Sequence, residues 1–137
     1  MKRKVYVTRR FCFEAAHHLP FYGGKCRSLH GHSYKMEVTV SAERDFEDRL
    51  SHSPYEYMVI DFSTLKAVVN AEAVNKYDHA NLNDFFAMPT AEAMVVKIFE
   101  DLDAVISATY GENGVKLEEV KLWETEDAFA SYKGEKC

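Results

Sequence analysis

Residues 34–40 read "YKMEVTV", and this stretch alternates between two kinds of side chain. Its apolar members are Met36, Val38 and Val40, and the residues between them are polar or charged. Successive side chains of a β-strand point to opposite faces of the sheet. The alternation therefore predicts a strand with one face in a hydrophobic core and the other in water.

A second pattern of period two lies upstream, from Val5 to His17. Its odd positions are mostly apolar, with an interruption at Arg9, and His17 falls at the end of the apolar face. Residues 18–33 separate the two patterns, and their glycines and proline are typical of a loop. The two strands most simply form an antiparallel pair across this long loop.

Two helices are predicted downstream of the strand pair. Asp61 is a suitable N-cap for a helix that carries apolar side chains on one side and stops near Tyr77. Pro89 and Thr90 open a second helix, in which apolar residues recur at helical spacing as far as "YGENG". Two further strands follow, at about residues 115–124 and 128–132.

The order of strand pair, helix pair and strand pair predicts one α+β domain spanning residues 1–137. A chain of 137 residues with 47% hydrophobic content can build one core but not two ordinary ones. Its net charge of -5 argues against non-specific binding to nucleic acid. Neither a secretory signal nor a stretch of transmembrane length is present, so we expect a cytoplasmic protein without a membrane partner.

Residues 26–32, "CRSLHGH", place a thiol and two imidazoles in one short stretch. In an extended segment, His30 and His32 point to the same side, about 6–7 Å apart. If the flanking strands pair antiparallel, His17 at the end of the first strand lies beside His32. Three neutral imidazoles with a free fourth position are typical of catalytic zinc.

Other interpretations of this stretch stay open. A pair of histidines two residues apart occurs by chance in polar loops. Cys26 can alternatively be a fourth ligand, which would give a closed structural site of one thiolate and three imidazoles. The spacing permits either role. Three cysteines, Cys12, Cys26 and Cys137, cannot all pair with one another, so each must be explained by chemistry, burial or chance.

Two acidic features complete the candidate site. The segment "DHANLN" contains adjacent Asp78 and His79, although such a pair is more often a helix cap beside a solvated ring than a catalytic dyad. Glu124 follows the large apolar residue Trp123 near the end of a predicted strand. The other acidic residues near this strand are typical of a solvent-exposed face.

Five motifs carry a resemblance to a known family: "FEAAHHLP", "CRSLHGHSY", "YDHANLN", "PTAE" and "LWETEDAFASY", in that order. They resemble the 6-pyruvoyl-tetrahydropterin synthase and 6-carboxy-tetrahydropterin synthase superfamily over nearly the whole chain. The resemblance implies the tunnelling fold, a four-stranded antiparallel sheet with two helices packed on one face. It also implies a homo-oligomer, a trimer or a hexamer of stacked trimers.

The resemblance further implies the roles of individual residues. Zn²⁺ would be the cofactor, and its ligands would be His17, His30 and His32. Cys26 would be the catalytic base and not a fourth ligand. Asp78 and His79 would complete its proton relay.

The same resemblance implies how the substrate is held. Glu124 would anchor the pterin ring, and Thr90 with Glu92 would line the same pocket. A carboxylate suits this role because it can accept two parallel hydrogen bonds from the N–H and amino groups of a pterin edge. The triphosphate requires cations, for which Lys25, Arg27 and Arg10 are candidates.

Loop spacing favours one reaction within the superfamily. Pyruvoyl-forming members of the animal type resemble C-x5-H-G-H, whereas this chain has C-x3-H-G-H, like the bacterial carboxy-forming members of the queuosine pathway. A third group places a glutamate in this loop, and "KCRSLHGH" has none. The implied reaction converts 7,8-dihydroneopterin triphosphate and water to 6-carboxy-tetrahydropterin, acetaldehyde and triphosphate. Pyruvoyl formation and a pterin- or zinc-binding module without turnover are the alternatives.

Overall fold

The computed structural model describes residues 1–24 and 27–137. Within them, five strands form one sheet in the spatial order β3-β1-β2-β4-β5. The strands are β1 (Arg3–His17), β2 (His30–Arg44), β3 (Ala80–Asn81), β4 (Lys116–Thr125) and β5 (Ala128–Tyr132). Neighbouring strands are antiparallel except for β3, which runs parallel to β1.

The predicted antiparallel pair of the first two strands is confirmed, with a register from Arg3 opposite Arg44 to His17 opposite His30. However, β2 begins at His30 and not at Tyr34. The sequence pattern predicts a loop over residues 30–33, because histidine replaces an apolar side chain at both positions that continue the buried face. The two loop histidines therefore lie on a strand, and the strand fixes the direction of their side chains.

The prediction of four antiparallel strands is wrong, because the segment 78–83 contributes the extra strand β3. His79 N–H donates to the carbonyl oxygen of Glu14 at 2.5 Å, and Glu14 N–H donates to Asp78 Oδ1 at 3.0 Å. These bonds satisfy backbone groups on the outer edge of β1, beside the Ala15–Ala16 pairing with β3. A strand of two residues has no periodicity that a sequence pattern can reveal.

Both predicted helices are present, and their predicted caps are confirmed. The first begins as α1 (Phe62–Val69), continues through a π-helical turn (Asn70–Val74) and ends as α2 (Asn75–Tyr77). The second is α3 (Ala91–Tyr110). Asp61 accepts from Ser63 N–H at 2.7 Å. Short 3-10 turns lie at Pro54–Tyr57, Leu82–Asp84 and Gly111–Asn113.

The π-helical turn follows from the spacing of the buried residues. Leu65, Val69, Ala73 and Tyr77 all face the core, at strict intervals of four residues. In a regular α-helix each such interval overshoots a full turn by about 40°. The wider π turn absorbs this drift and keeps Tyr77 buried at the helix end, directly before Asp78.

The helices cover one face of the sheet, and the hydrophobic core lies between the helices and this face. Tyr34, Met36, Val38 and Val40 of β2 are fully buried on this face, as the alternation predicts. The opposite face is polar: Arg10 Nε, for example, lies 2.7 Å from Glu37 Oε2 across β1 and β2. Among residues 1–24 and 27–137, none of the helices has the length and apolar character needed to cross a membrane.

Candidate metal centre and active site

Three histidines meet at one end of the sheet, on the helix-covered side. His17 is the last residue of β1. On β2, His30 lies directly opposite His17, and His32 lies diagonal to it. One ligand nitrogen from each ring lies within 4.8 Å of the others. The ring centroids are 4.7–4.9 Å apart and the ring planes cross at 74–82°. The structure thus brings the three predicted ligands together, with His30 rather than His32 as the direct partner of His17.

Hydrogen bonds to backbone carbonyls orient two of the rings. His17 Nδ1 lies 2.9 Å from the carbonyl oxygen of Pro89, and His30 Nδ1 lies 2.7 Å from that of Ser28. A carbonyl oxygen only accepts, so Nδ1 of each ring carries the proton and Nε2 keeps its lone pair. Histidines that bind metals are commonly held in this way.

Burial favours the neutral form of two of the imidazoles. His17 is only 1% exposed. Desolvation lowers the pKa of His17 and of His32, although the nearby Glu124 carboxylate opposes this effect. A histidine must be deprotonated to bind a metal ion. The three rings can therefore hold a metal ion with nitrogen ligands, and a zinc-type site fits this donor set.

Glu124 reaches the same cluster from β4. Its Oε1 lies 3.4 Å from His17 Nε2 and 3.9 Å from His32 Nε2. A third of the side chain is exposed. The structure therefore places the predicted pterin-binding carboxylate beside the predicted metal ligands, within reach of solvent.

Thr90 and Glu92 lie at the start of α3, which the Pro89 carbonyl joins to His17. The Thr90 hydroxyl accepts from Ala93 N–H at 3.1 Å and so caps the helix. Glu92 is exposed in the first helical turn. Both residues closely follow Pro89 in the chain, and the contact that the structure shows for the Thr90 hydroxyl is this helix cap.

Asp78 and His79 are in side-chain contact on the outer edge of β1. His79 Nδ1 lies 3.0 Å from Asp78 Oδ1, and the His79 side chain is 80% exposed. The hydrogen bond from Glu14 N–H lowers the pKa of Asp78, and the contact with the His79 ring lowers this pKa further by a smaller amount. His79 has a φ of 61°, which is unusual for a residue with a side chain. Such backbone strain is concentrated at functional sites.

His79 borders a shallow open cleft of about 350 Å³, which Glu14, Ser33 and His32 also line. A larger cleft, of about 690 Å³, lies at the opposite end of β2, between Arg44 and Tyr110, among residues with no predicted role. Of the predicted site residues, His32 and His79 line the open cleft.

Some predicted residues cannot be placed at the site. Cys26 and Lys25 lie outside the described residues. Arg27 is exposed. Arg10 projects from the sheet face opposite the histidines, where it pairs with Glu37. The identity of the residues that bind the triphosphate stays a prediction. The position of Arg10 does not favour binding of the triphosphate by Arg10 at the site of its own chain.

Sequence reasoning missed the groups that support the site. Tyr34 is fully buried, and its hydroxyl lies 3.3 Å from His17 Nδ1. Its position two residues after His32 on one strand gives it the same face, so the alternation contained this signal. The carbonyl of Pro89 and the backbone of Glu14 gave no signal, because any residue type carries these groups.

Comparison with known proteins gives a consistent answer. The family model described as 6-pyruvoyl tetrahydropterin synthase matches residues 6–135. A Synechocystis relative, named 6-carboxy-5,6,7,8-tetrahydropterin synthase, is 44% identical over 100 residues, covering 71% of this chain and 74% of its own. The human protein named 6-pyruvoyl tetrahydrobiopterin synthase is 34% identical over 146 residues, covering 94% of this chain and 91% of its own.

A solved structure of similar fold comes from the same family. The 6-pyruvoyl tetrahydropterin synthase of Caenorhabditis elegans superposes with a TM-score of 0.78 at 28% identity, and 97% of each chain is covered. The sequence match spans the histidines, Asp78, His79 and Glu124 alike. The resemblance seen in the five sequence motifs is thereby confirmed, and the chain belongs to the 6-pyruvoyl tetrahydropterin synthase family.

Proposed function

We propose that this protein is a zinc-dependent lyase that converts 7,8-dihydroneopterin triphosphate and water to 6-carboxy-5,6,7,8-tetrahydropterin, acetaldehyde and triphosphate. The observation that carries this proposal is the convergence of His17, His30 and His32 with the Glu124 carboxylate at one end of the sheet. The C-x3-H-G-H spacing and the Synechocystis relative favour the carboxy-forming reaction over the pyruvoyl-forming one. The product would feed 7-deazaguanine or queuosine synthesis in the cytoplasm.

The three imidazoles would hold zinc through their Nε2 atoms. The Pro89 and Ser28 carbonyls fix the His17 and His30 rings in the tautomer that this requires. When bound, zinc supplies Lewis acidity, which makes protons on the neighbouring substrate side chain easier to remove. Burial of His17 also excludes water from one side of the cluster.

The pterin ring would be recognised by Glu124, whose carboxylate is partly exposed and can accept two hydrogen bonds from the ring edge. Thr90 and Glu92 would line the same pocket, because Pro89 joins the start of α3 to His17. The hydroxyl of Thr90 accepts from the helix backbone and keeps its own proton to donate.

Proton transfer would be the task of Cys26, Asp78 and His79. A cysteine near a metal has a pKa lowered toward neutrality, where general base catalysis is efficient. Asp78 accepts from the backbone of Glu14 and from the His79 ring, so it holds that imidazole in a defined orientation. His79 would carry the proton between the base and the substrate or leaving group.

The active protein would be a homo-oligomer, a trimer or a hexamer. In the described part of the chain, the outer edge of β1 is paired only at Ala15 and Ala16, and β5 is an edge strand. Long free edges tend to pair with other chains, and identical chains favour closed rings. Such pairing would also enclose the open surface around His79.

Product identification tests the proposal. Zinc-loaded protein is incubated with 7,8-dihydroneopterin triphosphate, and the pterin and any acetaldehyde are identified by mass spectrometry. We expect 6-carboxy-tetrahydropterin with one acetaldehyde per pterin. A 6-pyruvoyl product without acetaldehyde would establish the alternative activity instead. Zinc and pterin binding without any product would identify a binding module.

A further inference from the structure

Asn83 forms two hydrogen bonds with the backbone of the residue that follows His17. Its Oδ1 accepts from His18 N–H at 2.9 Å, and its Nδ2 donates to the His18 carbonyl oxygen at 3.0 Å. A backbone N–H only donates and a carbonyl oxygen only accepts, so both polar atoms of the side-chain amide are assigned. The Asn83 side chain therefore bonds His18 as the backbone of a neighbouring strand would.

A side chain takes this place because the backbone has turned away from β1. Strand β3 ends at Asn81, and the residues after it form the 3-10 turn Leu82–Asp84. Asn83 N–H donates to Asn81 Oδ1 at 3.0 Å, and Leu82 is fully buried. The turn is thus anchored by a hydrogen bond and by the core, and it holds the Asn83 amide at one position beside β1.

The same segment is attached to β1 a second time, at Glu14. Glu14 N–H donates to Asp78 Oδ1 at 3.0 Å, and the Glu14 carbonyl oxygen accepts from His79 N–H. In the chain, His17 lies between the two attachment points, after Glu14 and directly before His18. The metal-ligand candidate of β1 is therefore enclosed between two fixed points.

These contacts join the end of β1 and the segment 78–83 into one unit, with the dyad at one end and His17 near the other. Groups that act together in a site must keep their relative positions to within about 0.5 Å. We propose that Asn83 is a positioning residue that acts through His18: its amide fixes the His17 imidazole against the segment that carries Asp78 and His79. The half of this inference that concerns the dyad rests on the proposed function.

Metal binding tests the half that concerns His17 and needs no substrate. Zinc dissociation constants are measured by competition with a coloured chelator for the wild type, Asn83→Ala and Asn83→Asp. The Asp variant keeps an acceptor for His18 N–H but lacks the donor. Cobalt(II) is also bound in place of zinc, because its visible spectrum depends on the geometry of its ligands. Asn113→Ala, at an exposed asparagine beside the larger cleft, is the matched control.

A second control separates positioning from lost stability. Ile106 is fully buried near the end of α3, so Ile106→Val removes core contacts far from His17 and lowers stability. Circular dichroism checks that each variant is folded at the temperature of the measurement.

We expect Asn83→Ala to bind zinc about 10-fold more weakly than wild type and to have an altered cobalt spectrum. Asn83→Asp should lie between these two proteins, and Asn113→Ala and Ile106→Val should match the wild type. A wild-type zinc affinity and cobalt spectrum in Asn83→Ala would overturn this half of the inference. An equal loss in Ile106→Val would overturn it too, since the effect would then follow stability alone.

Turnover of 7,8-dihydroneopterin triphosphate tests the half that concerns the dyad. We expect Asn83→Ala to lose about 10–100-fold in kcat with KM within about three-fold of wild type, because a displaced dyad slows proton transfer and leaves the pterin contacts in place. An unchanged kcat would overturn this half. If the wild type itself shows no turnover, this half fails together with the proposed function, and the metal measurements still decide whether Asn83 positions His17.

Discussion

His17 connects three elements of the molecule through one imidazole ring. It ends β1, its Nδ1 contacts the Pro89 carbonyl ahead of α3, and the same atom lies 3.3 Å from the Tyr34 hydroxyl of β2. A metal ion bound at Nε2 would therefore be connected, through this ring and the Pro89 carbonyl, to the start of α3, where Thr90 and Glu92 lie. This single residue therefore contacts the segment directly ahead of the two residues predicted to line the pterin pocket.

The first prediction concerns the three histidines. Changing His17, His30 or His32 to Ala removes a nitrogen that the structure aims at a common point. We expect each variant to lose more zinc affinity than the 10–100-fold that the loss of an outer hydrogen-bond partner costs. Elemental analysis after dialysis measures the zinc content, and His52→Ala, at an exposed loop histidine, is the control. Full zinc retention by all three variants would show that the site is misassigned.

The second prediction concerns Cys26, which decides between a catalytic and a structural metal site. If its thiolate is a base, Cys26→Ala should keep its zinc and its fold and lose turnover by about 10²–10⁴-fold. Cys12→Ala, at an exposed free cysteine, should change neither property. Loss of zinc from Cys26→Ala would favour the structural site in which the thiolate is a fourth ligand.

At the residue scale, the sequence predicts the histidines well and their surroundings poorly. The period of two along a strand determines which side chains share a face, so the grouping of His30 with His32 required no coordinates. The approach of Glu124 depended on the pairing of β2 with β4 and on a register shift near the end of β4. No local pattern contains that information.

At the scale of elements, the stretch from α1 to β3 shows what periodicity can and cannot predict. The helix end at Tyr77 was predictable from the apolar positions, but the π turn that keeps those positions buried was not. Asn83 then ties this segment to the end of β1: its Oδ1 accepts from His18 N–H and its Nδ2 donates to the His18 carbonyl. These side-chain bonds continue the β1–β3 contact beyond the strand.

The third prediction concerns the chain after β5, where Gly134 crosses α3. Gly134 has a φ of 82°, and a Cβ at this position would lie 2.9 Å from the Phe99 ring. Phe99 is buried and packs against Tyr132, so it cannot move away freely. We expect Gly134→Ala to lower the free energy of unfolding by about 2–4 kcal/mol, from backbone strain and overpacking.

Thermal or chemical denaturation at a fixed protein concentration measures this effect. Gly111→Ala is the matched control, since its φ is -60° and a Cβ there would meet nothing within 4 Å. It should leave stability unchanged or slightly raised. Equal stability of the two variants would mean that the segment after β5 does not pack on Phe99 in solution.

At the scale of the whole molecule, the sheet has a polar face and two edge regions that the described residues of one chain leave open. Arg10 and Glu37 pair on that polar face, and Lys121 lies 5.5 Å from the centre of the exposed Phe129 ring. A face of this kind suits the inner wall of a ring of subunits better than a packed core. The predicted assembly therefore accounts for both the edges and the polar face.

The fourth prediction is that catalytic groups from different chains meet in this assembly. His79 is exposed on the outer edge of β1, whereas Cys26 precedes the first histidine of β2 by four residues in the chain. If neighbouring chains pair at the edges, Cys26→Ala and His79→Ala can each supply the group that the other lacks. Mixing equal amounts of the two inactive variants, followed by dissociation and reassembly, should restore about a quarter of the wild-type activity, since only interfaces with both intact groups are active. Each variant reassembled alone is the control. A monomeric mass by light scattering, or an oligomer without rescue, would contradict the prediction, and the second result would place all catalytic groups of a site in one chain.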